Sequence, residues 1–132
     1  MIVYVDTSAL LKRVVVEAES HAVRSSLAAS AAAGDLLASS ALTWVEAHRA
    51  LRRAAVHNPA ELAADALSGV DEFPLQPAVL ERARTIGPAA LRSLDAIHLA
   101  SAVLLRADEL VTFDDRLADA ARAEGITVSM PA

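Results

Sequence analysis

The chain has 132 residues, of which 55% are hydrophobic, 3% are aromatic and none is cysteine, and its formal net charge is −5. This length predicts a single domain over residues 1–132, and the lack of cysteine excludes a disulfide scaffold and a cysteine-ligated zinc site. The acidic balance argues against a general nucleic-acid clamp and the scarce aromatics against base stacking, although a nuclease whose acids hold metal ions stays compatible with both.

The first seventy residues alternate short apolar runs with helical patterns. The run IVYV (2–5) has the β-branched character of a buried parallel strand. The elements predicted after it are a helix from a Ser8 cap to Val15, a helix over 19–33, a weak strand LLAS (36–39), a helix from Ser39 or Ser40 to Ala55, and another helix from the HNP break (57–59) to Val70.

The second half of the chain continues this alternation. A weak strand FPL (73–75), placed at a sheet edge by its proline, precedes a helix over 77–86 and a Gly-Pro break. The remaining predicted elements are an almost wholly apolar, buried helix over 94–107 with Ser93 as its N-cap, a strand ELVTF (109–113), a helix over 115–124 and a strand ITVS (126–129). Strands that alternate with helices predict an α/β fold with a parallel sheet covered on both faces.

Four acidic residues occupy the ends of these elements. Asp6 and Asp114 each follow a strand directly, while Glu46 and Asp95 lie in the first turns of two helices. Because the carboxyl ends of parallel strands meet at one edge of the sheet, we expect the four carboxylates to converge there. Each acid alone has an ordinary explanation, such as a helix cap or, for Glu46, a pair with Arg49.

Together the four acids predict a metal site. Clustered carboxylates repel one another in a partly buried site, and hard divalent cations such as Mg²⁺, which prefer oxygen ligands, remove that repulsion. His98, three residues after Asp95, is expected to pack or to support the site without acting directly.

Four segments resemble the signature segments of PIN-domain ribonucleases, and most closely those of VapC-type toxins from bacterial toxin–antitoxin pairs. They are VYVDTSALLK (3–12), SSALTWVEAHRAL (39–51), LRSLDAIHLASA (91–102) and LVTFDDRLADAARAEGI (110–126). The resemblance implies a PIN-like three-layer α/β/α sandwich with a central parallel sheet of four to five strands. It is weakest over residues 56–90, which carry no signature.

The resemblance also implies an activity, a Mg²⁺- or Mn²⁺-dependent endoribonuclease that cleaves RNA through a metal-activated water. The residues it marks as catalytic and metal-binding are Asp6, Glu46, Asp95 and Asp114, with Asp6 and Asp95 as the principal ligands. Supporting residues are Thr7, Ser8, Thr112 and Asp115, of which Thr7 or Ser8 would order Asp6 and Thr112 would pack beside Asp114. Candidate RNA contacts are Arg49, Arg53, Arg92 and Arg116, which could instead form an ordinary solvated surface.

The implied partners are RNA, a cognate VapB-type antitoxin and a second copy of the chain. An antitoxin helix could dock on apolar residues near the acids, namely Leu10, Leu11, Val14, Val15, Leu42, Val45 and Leu51. The candidate dimer stripes are Val79, Ala83 and Ile86 on one helix and Leu62, Ala66 and Val70 on another. Most of the residues named for antitoxin docking are expected to pack against the sheet instead, and the two dimer stripes could equally do so.

Other classes of protein fit less well. A phosphoacceptor receiver domain needs paired acids after the first strand and a late lysine, but the chain has one acid there and its only lysine is Lys12. A phosphatase of the haloacid dehalogenase type needs an aspartate where Ser8 stands, and a dinucleotide-binding module needs a glycine-rich turn after the first strand. A non-catalytic binding module stays open if the carboxylates do not converge.

The N-terminus lacks the basic start and long apolar run of a signal peptide, and no run approaches 18 apolar residues. We therefore expect no membrane span, and the absence of cysteine fits a cytoplasmic location.

Overall fold

The first strand, β1 (Ile2–Val5), lies at the centre of the sheet, where Val3 and Val5 are buried on one face and Tyr4 on the other. The other strands are β2 (Leu36–Ser40), β3 (Asp71–Phe73), β4 (Glu109–Val111) and β5 (Thr127–Ser129). All four pairings are parallel, and the strand order is β3-β2-β1-β4-β5. The computed structural model, which describes residues 1–132, confirms the predicted α/β fold with a five-stranded parallel sheet.

Seven helices connect or flank the strands. They are α1 (Thr7–Leu11), α2 (Ser20–Ala32), α3 (Ala41–Arg53), α4 (Pro59–Ala66), α5 (Pro77–Ala83), α6 (Ser93–Leu105) and α7 (Asp115–Ala123). None of them is both long enough and apolar enough to span a bilayer.

Each face of the sheet carries its own hydrophobic core. Successive side chains of a strand point to opposite faces, so Val3 and Val5 pack with residues of α1, α2 and α3, while Tyr4 packs with residues of α5, α6 and α7. The sheet is therefore covered on both faces, which gives the three layers that were predicted.

The first helix starts earlier and ends sooner than predicted. Its N-cap is Asp6 and not Ser8, since the Asp6 side chain accepts a hydrogen bond from the Ala9 amide. It ends at Leu11, and turns carry the chain through Val15. The run of three valines at 14–16 explains the early end, because β-branched residues lose side-chain freedom in a helix.

The apolar helix α6 differs from its prediction in two respects. Ser93 is its first helical residue, and the N-cap position belongs to Arg92, whose side chain makes no capping hydrogen bond. The helix is not buried all round, because Leu94 is 49% and Leu104 41% exposed.

Several elements of the second half are shorter or shifted. The edge strand β3 ends at Phe73, because Pro74 has no amide hydrogen to donate to the sheet. The helix predicted to Val70 ends at Ala66, ahead of Gly69 at positive φ, and the helix predicted to Ile86 ends at Ala83, ahead of Gly87 at positive φ. The strand predicted over 109–113 ends at Val111. The predicted edge position of β3 is confirmed.

The two stripes suggested for a dimer contact face inward. Val79, Ile86, Ala66 and Val70 are buried in the chain's own core, and Ala83 and Leu62 are partly buried. The predicted location of a dimer surface is therefore wrong, because helical spacing alone does not distinguish a stripe that packs on the sheet from one that faces a partner.

Candidate active site

Asp6 follows β1 directly, and hydrogen bonds hold both of its carboxylate oxygens. Its Oδ1 accepts from the Ser8 hydroxyl at 2.7 Å and from the Ala9 amide at 3.0 Å, and its Oδ2 accepts from the Thr112 hydroxyl at 2.5 Å. Burial raises the pKa of Asp6 above its ordinary value, against the effect of these hydrogen bonds. The structure thus orients a carboxylate whose charge is costly there, and a bound cation would stabilise that charge.

Thr112 joins the first and the fourth acid. Its hydroxyl donates to Asp6 and accepts from the Asp114 amide at 3.0 Å. Asp114 is the N-cap of α7, and its Oδ1 accepts from the amides of Arg116 and Leu117. Because both capping bonds fall on Oδ1, Oδ2 of Asp114 is left available to a ligand.

Glu46 lies on α3 and is held by residues from two other helices. Its Oε1 accepts from the Thr7 hydroxyl at 2.7 Å and lies 2.6 Å from His98 Nε2. Burial opposes the charge of Glu46, but its contacts with His98 and Thr7 prevail and hold its pKa below the ordinary value. Glu46 is thus paired with His98, and Arg49 forms no salt bridge with it.

Asp95 lies in the first turn of α6 and is partly buried. Burial raises its pKa, and the charge of Asp114 adds to the rise, followed by smaller effects of Asp6 and Glu46. The four acids therefore lie close enough for their charges to act on one another.

The four acids do not form a finished metal centre. No three acidic or histidine side chains stand in an arrangement that could hold a metal ion as they are placed. In chemical type, however, the four acids fit a hard divalent cation, because they offer carboxylate oxygens. One of them, Asp6, is buried, and burial raises its pKa, so that a cation nearby would stabilise its charge.

Arginines lie on two sides of the acids. Arg92 and Arg116 line a pocket without any hydrophobic residue, together with Asp95, Asp114 and the exposed Asp115. Arg49 and Arg53 line a second pocket, whose other residues are Thr7, Ser8, Leu11, Leu42, Val45, Glu46, Ala50 and Leu94. None of these four arginines forms a salt bridge within 4.0 Å, so all four guanidinium groups are available to an anion.

The apolar residues suggested for an antitoxin are only partly accessible. Leu10 and Leu51 are buried in the core, whereas Val15 is 37% and Val45 59% exposed. Leu11, Val14 and Leu42 are intermediate.

Sequence reasoning missed two features of the site. The first is the hydrogen bond between the Tyr4 hydroxyl, in the middle of β1, and His98. The second is that the Thr7 hydroxyl donates to Glu46, whereas the Ser8 hydroxyl donates to Asp6. One signal for Tyr4 was present, because a tyrosine in a strand buried on both faces needs a partner for its hydroxyl.

The sequence is similar to known proteins over nearly its whole length. The sequence model of the family described as PIN domain matches residues 3–123. Ribonuclease VapC47 of Mycobacterium tuberculosis (strain CDC 1551 / Oshkosh) is 40% identical over 131 residues, which are 98% of this chain and 96% of that protein. Ribonuclease VapC46 of Mycobacterium tuberculosis (strain ATCC 25618 / H37Rv) is 38% identical, over 98% of this chain and 97% of that protein.

Solved structures share the fold at lower identity. The crystal structure of Mycobacterium tuberculosis VapC20, described as a sarcin-ricin loop cleaving toxin, has a TM-score of 0.76 at 19% identity, covering 98% of this chain and 99% of that chain. VapBC2 from Rickettsia felis, bound to a DNA fragment from their promoter, has a TM-score of 0.73 at 13% identity, covering 98% of both chains.

Proposed function

This chain belongs to the PIN-domain family, in its VapC group, and on that premise we propose that it is a metal-dependent endoribonuclease acting as the toxin of a toxin–antitoxin pair. The observation that carries the proposal is Asp6, a buried carboxylate held in place by three donors and lying within electrostatic reach of Asp95. A buried carboxylate without a salt-bridge partner is costly when it is ionised, so its presence favours a role in binding a cation.

Mg²⁺ or Mn²⁺ would be held by Asp6 and Asp95, with Glu46 and Asp114 completing the set of oxygen donors. When bound, the ion supplies a water of lowered pKa and offsets the charge that develops on the phosphate and on the leaving oxygen. Ser8 and Thr112 keep the Asp6 carboxylate in one orientation, so no side-chain entropy is lost there when a ligand binds.

The unpaired arginines would position the RNA. Arg92 and Arg116 lie in the same pocket as Asp95 and Asp114, where they can bind a phosphate next to the scissile bond. Arg49 and Arg53 lie beside Glu46 and can bind a phosphate on the other side. These local charges would provide the affinity that a chain of net charge −5 lacks as a whole.

An antitoxin would bind beside the acids. The pocket next to Glu46 combines the exposed Val45 and Leu94 with Arg49 and Arg53. This mixture suits an amphipathic helix that buries apolar side chains and places acidic ones against the arginines. A VapB-type antitoxin of this kind would cover the acids and block RNA.

Brief induction of the chain in bacteria, followed by mapping of new RNA ends, tests the proposal. We expect growth to stop and new ends to appear at a small set of sites, and Asp6→Asn, produced at the same level, to give neither effect. Co-expression of its cognate VapB-type antitoxin should restore growth. Equal growth with soluble wild-type protein and Asp6→Asn would contradict the proposal.

A further inference from the structure

A buried chain of hydrogen bonds leads from β2 to Glu46. The Ser40 amide donates to the Tyr4 hydroxyl at 3.1 Å, the Tyr4 hydroxyl lies 2.6 Å from His98 Nδ1, and His98 Nε2 lies 2.6 Å from Glu46 Oε1. Tyr4 is completely buried and His98 is 3% exposed. The two rings meet edge to face, with centroids 5.9 Å apart.

The direction of this chain follows from its first donor. The Ser40 amide donates to the Tyr4 oxygen, and the other hydrogen-bond partner of that hydroxyl is His98 Nδ1, to which we assign the Tyr4 proton. A neutral His98 then carries its own proton on Nε2 and donates it to the Glu46 carboxylate, an assignment made from the network. In this arrangement each buried side-chain nitrogen or oxygen has a partner.

Stability alone does not account for the chain. Phe at position 4 and an apolar side chain at position 98 would remove two buried polar side chains and leave only the Ser40 amide without its partner, while a typical buried hydrogen bond adds only about 1 kcal/mol of net stability. The chain also ends on a side chain that is 24% exposed, so its last member faces the site and not the core.

The bonds to Glu46 are asymmetric. His98 and Thr7 both contact Oε1, while Oε2 takes no part in either bond. Thr7 is adjacent to Asp6 in the sequence, and His98 lies one helical turn after Asp95. Glu46 is therefore held at a fixed position relative to the elements that carry Asp6 and Asp95.

We propose that His98, itself held by Tyr4, is a positioning residue that fixes Oε1 of Glu46 and leaves Oε2 to a divalent cation. The inference rests on the proposed function, because it takes Glu46 as part of the metal-binding set. Partners behind a metal ligand of this kind typically change metal affinity or activity by about 10- to 100-fold when they are removed.

Calorimetric titration of the full chain with Mn²⁺, in the absence of RNA, tests the role of His98 in cation binding. We expect His98→Leu to weaken Mn²⁺ binding about tenfold or more. His98→Gln should recover most of the affinity, because its amide nitrogen can donate to Oε1. Tyr4→Phe, which removes one hydroxyl, should weaken binding by a smaller factor and serves if His98→Leu does not fold. His57→Gln, at an exposed histidine between α3 and α4, is the matched control and should bind as the wild type does.

The outcomes separate this inference from the proposed function. Wild-type protein that binds Mn²⁺ no better than Asp6→Asn would overturn both. Wild-type affinity retained in folded His98→Leu and Tyr4→Phe, with binding lost in Asp6→Asn, would overturn the role of His98 alone. A merely structural His98 would lower the melting temperature of its variants without changing their Mn²⁺ affinity.

Discussion

At the scale of single residues, short hydroxyl side chains hold three of the four acids. Ser8 and Thr112 bond Asp6, Thr7 bonds Glu46, and Thr112 also accepts from the Asp114 amide. A hydroxyl donates one proton and accepts elsewhere, so one small residue can order a carboxylate and satisfy a backbone amide together. Asp95 lacks such support, and only burial and neighbouring charges act on its pKa.

The raised pKa of Asp95 predicts how a neutral residue there changes stability. A carboxyl whose pKa is raised on folding is destabilising when ionised, so the cost is present at neutral pH and disappears as the pH falls towards the ordinary value of 3.8. We expect Asp95→Asn to raise the free energy of unfolding of the metal-free protein at about pH 7 by a few tenths of a kcal/mol, since solvent screens a partly exposed group.

Urea unfolding with chelator, at about pH 7 and about pH 4.5, measures this effect. The gain from Asp95→Asn should shrink at the lower pH, where the wild-type carboxyl begins to take up its proton. A variant that is less stable at neutral pH, or a gain that grows in acid, would show that burial and the neighbouring acids do not make the ionised Asp95 carboxylate destabilising.

Sequence could identify the acids and, through the family resemblance, the hydroxyl residues beside them, but not which hydroxyl holds which acid. Aspartates after strands stand out by type and place, whereas the bond from Thr112 to Asp6 joins residues 106 positions apart. Thr7 and Ser8 were interchangeable by sequence, because only the direction in which α1 leaves Asp6 decides which hydroxyl reaches which acid.

At the scale of the elements, helix caps fix where each helix begins. Helix starts in turn bring functional side chains to the edge of the sheet. Ser40 caps α3 by accepting from the Leu42 amide at 3.1 Å, and α3 carries Glu46, Arg49 and Arg53. Asp6 and Asp114 are caps and candidate ligands together, so their capping role does not exclude a functional one.

Removing the α3 cap should weaken the protein measurably. Ser40→Ala is expected to lower the free energy of unfolding by about 1 kcal/mol, because the Leu42 amide loses its partner. Ser25→Ala, at an exposed position within α2, should change it by no more than a few tenths of a kcal/mol. Thermal unfolding of both variants and the wild type measures this difference. Equal stability of all three proteins would mean that the Ser40 cap does not stabilise the fold.

Element order was predictable from hydrophobic patterns, whereas element ends were not. The strand predicted over 109–113 is too long, because Thr112 and Phe113 have strand-like side chains, although Thr112 bonds Asp6 and the Phe113 amide bonds Ser8. The cap at Ser93 was wrong because a serine before an apolar run resembles an N-cap even when the helix begins on it.

Parallel topology is what gathers the acids at the scale of the whole molecule. β1 and β4 are neighbours, run in the same direction and end level with each other, so Asp6 and the segment from Thr112 to Asp114 leave the sheet at the same edge. Glu46 and Asp95 reach the same edge from helices on opposite faces, which explains how residues about fifty positions apart come to share one electrostatic environment.

Metal binding should stabilise the whole chain by mass action. We expect Mg²⁺ in excess to raise the melting temperature of the wild type, since the ion binds the folded state and not the unfolded one. The rise should disappear in the double variant Asp6→Asn, Asp95→Asn. If the double variant gained as much as the wild type, the ion would bind at some other place.

Self-association is the second property at this scale. We expect a two-fold dimer in solution, so light scattering at tens of micromolar should give a mass near twice the chain mass of 13.8 kDa. The interface must use a surface other than the two stripes at 62–70 and 79–86, which face the core. A mass of one chain would contradict the dimer.

Cleavage of RNA by purified Asp95→Asn tests the central claim most directly. Single-turnover cleavage in Mg²⁺ compares this variant with the wild type and with Asp71→Asn, a matched change at the exposed start of β3, the strand end away from the acids. We expect the wild type and Asp71→Asn to cleave at similar rates and Asp95→Asn to lose metal-dependent cleavage while its fold stays intact. Cleavage by Asp95→Asn at the wild-type rate would contradict the assignment of these acids as the catalytic centre.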